Sequence, residues 1–94
     1  VRLIFPCSGG SDVGELADRS ARKLTENGWG KMYCLAGVGA HLSGFIESTK
    51  TADAIITIDG CPAACAAKTL EHAGFKPKKY NLKKMGFFKG QTPV

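Results

Sequence analysis

Ile55-Ile56-Thr57-Ile58-Asp59-Gly60-Cys61-Pro62-Ala63-Ala64-Cys65 reads as a buried strand, a tight turn and the start of a helix. Ile55, Ile56 and Ile58 form a nearly continuous β-branched run, the pattern of a parallel strand covered on both faces. Gly60 permits a sharp turn. Pro62 suits the first helical position, where its missing N–H costs nothing. Cys61 then sits at the cap, and Cys65 follows at the i,i+4 spacing that puts two side chains on one helix face. Positive potential at a helix N-terminus favours thiolate.

The same strand–turn–helix pattern occurs twice upstream. Arg2-Leu3-Ile4-Phe5-Pro6 reads as a first strand ending at Cys7, and Ser8-Gly9-Gly10-Ser11 as a glycine loop. Asp12 with Glu15 three residues later has the form of a capping box. A helix over about 13–26 carries Val13, Leu16, Ala17, Ala21 and Leu24 as its apolar stripe, and Asn27-Gly28 stops it. Lys31–Leu35 reads as a second strand with Cys34 at its end. Ala36-Gly37-Val38-Gly39 reads as a second glycine loop, and a helix is expected over about 39–49. Ala54–Ile58 is the third strand, followed by a helix from Pro62 to about Ala73. Lys79-Tyr80-Asn81-Leu82 suits a fourth strand at an edge, where lysines discourage further pairing. Met85-Gly86-Phe87-Phe88 reads as a turn closing one end of the core.

Strand–helix alternation three times over implies βαβ units and a parallel sheet. The expected fold is α/β: a three-layer α/β/α arrangement with a small parallel sheet in the order 2-1-3-4, flavodoxin- or Rossmann-like. The 94 residues are read as one domain, with 44% apolar content and a net charge of +5. Residues 1–75 carry seven basic and eight acidic side chains, whereas residues 76–94 carry six lysines and no acid. No apolar run approaches the ~20 residues of a membrane-spanning helix. Leu3-Ile4-Phe5 is too short for the core of a signal peptide. A cytoplasmic location is expected, and four cysteines in a reducing compartment point to metal ligands or redox thiols.

In a parallel sheet the carboxyl ends of all strands share one edge. Cys7, Cys34 and Cys61 each follow a strand and precede a helix, so the order 2-1-3 places them on neighbouring strands, ~5 Å apart. Cys65 reaches back from the helix that follows. Four thiolates so placed suit one tetrahedral zinc, with iron or an iron–sulfur cluster as alternatives. The negative charge of such a centre calls for backbone donors. Ser8, Gly9, Gly10, Gly37, Gly39 and Gly60 are placed to supply them or to cradle an anion, with Asp59 ordering the turn.

Cys7-Ser8-Gly9-Gly10-Ser11, Cys34-Leu35-Ala36-Gly37-Val38-Gly39-Ala40-His41 and Asp59-Gly60-Cys61-Pro62-x-x-Cys65 resemble the DGC-domain family, bacterial and archaeal zinc-binding proteins named for an Asp-Gly-Cys motif. The resemblance covers roughly residues 3 to 75 and leaves the basic tail aside. It implies that Cys7, Cys34, Cys61 and Cys65 are metal ligands, and it implies no particular biochemical activity.

The leading expectation is a non-enzymatic domain that binds one zinc ion in a structural or carrier role. A closed four-cysteine site leaves no open position for water. The alternative is a thiol redox or sulfur-transfer protein using Cys7 or the Cys61/Cys65 pair. Asp59 and His41 are weaker catalytic candidates, as base and proton carrier. His72 is expected at the opposite edge, without a functional role. Ser8–Ser11 lacks the spacing of a nucleotide P-loop. A third reading, nucleic-acid binding, rests on Lys76, Lys78, Lys79, Lys83, Lys84 and Lys89 with Tyr80, Phe87 and Phe88 interleaved. A solvated edge explains those residues more simply.

Overall fold

Arg2–Pro6 (β1), Lys31–Met32 (β2), Ala54–Asp59 (β3) and Lys78–Asn81 (β4) build a four-stranded parallel sheet in the order β2-β1-β3-β4, with the β-branched residues concentrated in β3. The structure is a computed structural model that describes residues 1–86 and Gly90. Helix α1 (Asp12–Glu26) packs on one face of the sheet. Helices α2 (Leu35–Gly39), α3 (Ser43–Lys50) and α4 (Cys65–His72) pack on the other. This is the expected three-layer α/β/α, flavodoxin-like topology.

Side-chain alternation along the strands divides the core in two. Ile4, Ile56 and Ile58 meet Ala17 and Ala21 of α1. Leu3 and Phe5 meet Val38 of α2 and Leu70 of α4, with Phe45 and Ile46 of α3 packed alongside. The near-continuous isoleucines of β3 therefore serve both layers, as burial on two faces requires.

Two approaches depend on missing Cβ atoms. A Cβ on Gly14 would lie 2.3 Å from the Gly9 carbonyl oxygen, so the loop after β1 lies directly on the first turn of α1. A Cβ on Gly60 would lie 2.7 Å from the Val13 backbone, which fixes the turn after β3 against the same helix.

The local boundaries differ from expectation in three places. Ser11, not Asp12, caps α1: its Oγ accepts the Gly14 N–H at 3.1 Å. The glycines at 37 and 39 lie in a helix rather than a loop. Gly37 lets the Phe45 ring press against α2, where a Cβ would lie 2.6 Å from the ring. His41, left-handed at φ 55°, then separates α2 from α3, so the helix expected over about 39–49 starts only at Ser43, and α2 is a separate short helix before it. Finally, α4 begins at Cys65 rather than Pro62, because Ala64 adopts a left-handed conformation at φ 52°.

After β4, Leu82–Met85 form a 3-10 helix closed by Gly86 at φ 95°. Asn81 caps it, its Oδ1 accepting the Lys83 N–H at 3.0 Å. Phe87, Phe88 and Lys89, to which a core-closing turn and part of the basic tail were assigned, lie outside the described residues. Among the described residues, no helix is long and apolar enough to cross a membrane.

Candidate functional site

The loops at the carboxyl edge carry the motif residues, but they do not gather the four thiols. Cys7 follows β1, half-buried, and its Sγ accepts the Gly60 N–H at 3.4 Å. Cys34 caps α2, where its Sγ accepts the Gly37 N–H at 3.3 Å. Cys61 lies in the turn before Ala64, and Cys65 is exposed at the start of α4. Cys7 and Cys34 line one crevice of about 480 Å³, together with Ser8 and Gly39. Cys61 and Cys65 do not line it.

Among the described residues, no group of three or more Cys, His, Asp and Glu side chains is placed to hold a metal ion. This corrects the zinc expectation, its iron and iron–sulfur alternatives, and the metal ion as partner. The physical reason lies in the boundaries. The shortened β2 leaves Cys34 as a helix cap rather than a strand end. The left-handed Ala64 removes Cys61 from α4, so Cys61 and Cys65 do not share a helix face. The cysteines are free and dispersed, which removes the basis of a thiol-redox or sulfur-transfer centre as well.

Asp59 is 3% exposed at the end of β3. Its two carboxylate oxygens accept the N–H groups of Ala66 at 2.7 Å and Ala67 at 3.0 Å. The carboxylate thus holds the first turn of α4, where the helix has unpaired donors and positive potential. Gly9 and Gly10 are exposed and form the approach to Ser11, with Ser11 N–H donating to the Gly9 carbonyl at 2.9 Å. Ser8, left-handed at φ 50°, donates from Oγ to Asp18 at 2.7 Å. Arg22 Nε donates to the other oxygen of Asp18 at 2.6 Å. The Arg22 hydrogen bond, followed by that of Ser8, holds the Asp18 carboxyl below its ordinary range. The His41 ring meets that of His72, with centroids 5.8 Å apart.

A second and larger cleft lies over the ends of β3 and β4, about 620 Å³ in volume. Pro62, Ala64, Ala67 and Tyr80 give it an apolar lining, Asp59 and Asn81 form polar parts of its wall, and Lys79, Lys83 and Lys84 stand around it. Asn81 Nδ2 donates to the Cys61 carbonyl at 2.9 Å, so one side chain ties the turn after β3 to the turn after β4. Lys79 Nζ reaches Glu71 at 2.7 Å. Sequence reading passed over this cleft because its lysines also read as a solvated edge. The signal available was the Lys83-Lys84 pair directly after a strand end.

The DGC domain family pattern matches residues 3–93, almost the whole chain and well into the basic segment. The chain belongs to the DGC-domain family. The match extends past residue 75, where the sequence motifs stop, so the lysines bordering the β3–β4 cleft fall within the family region. The chain is also 35% identical over 63 residues to the anaerobic and virulence modulator AnvM of Pseudomonas aeruginosa. The alignment covers 67% of this chain and 48% of that protein, so the chain spans about half the length of the curated relative it matches. No solved structure matches the chain.

Proposed function

We propose that this chain is a non-catalytic regulatory module whose β3–β4 cleft binds a small organic anion with a flat apolar body. The observation that carries the reading is the cleft itself: an apolar lining flanked by Lys79, Lys83 and Lys84. Its volume of about 620 Å³ falls within the ordinary range of small-molecule sites. Its position at the carboxyl ends of parallel strands is where open α/β sheets take ligands.

Charge supports an anion. Lys79 is shared with Glu71, and Lys83 and Lys84 are exposed beside an apolar surface, where a carboxylate or phosphate gains from their field. The negative charge of Asp59 faces the buried N–H groups of α4, which offset it. The same two bonds engage each carboxylate oxygen in holding α4, which supports a binding role for the cleft. A regulatory role accords with the relative described as a modulator. A cytoplasmic setting is part of the reading, since four free thiols suit a reducing compartment.

The test is an amide NMR titration with 2-naphthoate as probe. Shift changes are expected at Ala64, Ala67, Asn81, Lys83 and Lys84, and the double variant Lys83→Ala/Lys84→Ala is expected to weaken binding by about tenfold, or ~1.4 kcal/mol. Shift changes confined to other surfaces, or equal binding by the double variant, would refute the reading.

A further inference from the structure

The contact between His41 and His72 sits in a hollow that neither the motifs nor the β3–β4 cleft accounts for. The hollow is about 300 Å³ and is lined by Gly39, His41, Lys68, Thr69 and His72. Lys68 and His72 are four residues apart on α4 and therefore share a face. His41 comes from the turn after α2 and meets His72 edge-on, with ring planes at 64°. Gly39 lies beside α4 at the hollow's edge, where a Cβ would be in ordinary contact with the Thr69 methyl at 3.5 Å.

The backbone makes this arrangement costly. His41 is left-handed at φ 55°, a conformation uncommon for non-glycine residues. Its N–H donates to the Val38 carbonyl at 2.9 Å, a turn that glycine would form without strain. The strained position therefore presents an imidazole where the turn itself needs none.

The charged side chain that lines the hollow is positive, Lys68. On α4, Glu71 is engaged by Lys79 at 2.7 Å. On α3, Glu47 is engaged by Lys50 at 2.9 Å. Helix α2 contributes no charged side chain, and no carboxylate lines the hollow among the described residues. The Thr69 hydroxyl donates to the Cys65 carbonyl at 2.7 Å, which leaves its oxygen as an acceptor and assigns the ligand donors to Lys68 and the two imidazoles. Imidazoles take up a proton between pH 5 and 8. Two of them in contact, beside an ammonium group, repel one another once protonated, and a bound anion relieves that repulsion.

We propose that His41, His72 and Lys68 form a second site, separate from the β3–β4 cleft, that binds a tetrahedral oxyanion of the phosphate class more tightly as the pH falls. The ligand is either free phosphate or the phosphoryl group of a small phosphate monoester.

The experiment is an NMR titration of the 94-residue chain, following the imidazole resonances and the amides of Gly39, His41, Thr69 and His72. Sulfate, whose charge is fixed over the range, serves as the pH probe. It is expected to bind about tenfold or more tightly at pH 5.5 than at pH 8.0, a difference of ~1.4 kcal/mol. His72→Ala and Lys68→Ala remove exposed side chains and are expected to weaken binding, and His72→Ala also to flatten the pH dependence. Lys83→Ala/Lys84→Ala leaves this site intact and separates it from the cleft. Inorganic phosphate and methyl phosphate at pH 7.0 then distinguish the sources: tighter methyl phosphate supports the monoester, and equal or tighter inorganic phosphate supports the free anion. Affinity independent of pH, unchanged affinity in His72→Ala, or shifts confined to the β3–β4 cleft would overturn the proposal.

Discussion

Replacing Asp59 with alanine tests how the site is assembled. The side chain is 3% exposed, and its oxygens accept two N–H groups from residues that are themselves buried, Ala66 at 0% and Ala67 at 2% exposure. Its removal strands both donors at the start of α4. A buried donor left without a partner costs about 1–3 kcal/mol, so the substitution is expected to cost about 3–4 kcal/mol in total. Such a loss is large against the ~5–15 kcal/mol that holds a domain together. Asp59→Asn keeps one acceptor and places an amide N–H₂ against the other donor, so it is expected to cost about 2 kcal/mol. Urea unfolding reads both values. With a slope of about 1–1.5 kcal/mol per M, the alanine variant moves the midpoint down by about 2–4 M. The first turn of α4 also forms a wall of the β3–β4 cleft through Ala64 and Ala67, so hydrogen exchange at Ala66 and Ala67 should quicken selectively. A cost below about 1 kcal/mol for Asp59→Ala, with α4 exchange unchanged, would refute the argument that this carboxylate anchors the helix.

Three further outcomes follow from particular side chains. Thr57 is fully buried and its hydroxyl has no partner among the described residues, so Thr57→Val should raise stability by about 1 kcal/mol in the same urea assay. Gly60→Ala places a Cβ 2.7 Å from the Val13 backbone and should lower the melting temperature, with α1 shifted in amide spectra. The depressed carboxyl of Asp18 adds stability that is fully present above its unfolded pKa of about 4 and is lost as pH falls through the lower folded value. The stability difference between wild type and Asp18→Ala should therefore shrink below about pH 4, and a difference that grows there would contradict the Arg22–Asp18–Ser8 arrangement.

The sheet was legible because its signals are strong and local. The isoleucine run of β3, the apolar stripe of α1 and the three strand–helix alternations lead to a parallel sheet in the order β2-β1-β3-β4. The site was less legible because tertiary contacts moved its landmarks. Nothing local marks Gly37 as the seat of the Phe45 ring, yet that contact belongs to the helix that makes Cys34 a cap. Ala64 carries no glycine or asparagine signature for its left-handed turn, yet that turn delays α4 by three residues and separates Cys61 from it. Each shift is small, but a four-thiolate centre needs sulfurs within a few ångströms, so the shifts decide the chemistry. The cleft was hidden for a different reason. Its walls come from residues 59–67 and 79–84, and only the pairing of β3 with β4 brings them together. His72 likewise gains a partner through the turn at His41, which the sequence placed on a continuous helix near the other edge.

The most direct measurement is calorimetric titration of the wild-type chain with 2-naphthoate and with its neutral counterpart 2-naphthamide, which share one apolar body and differ in charge. The account predicts that the acid binds at least about tenfold more tightly, one lysine-sized increment of ~1.4 kcal/mol, and that Lys83→Ala/Lys84→Ala removes that preference. Equal affinity for acid and amide, or a preference that survives the double substitution, would contradict the claim that the β3–β4 cleft selects organic anions.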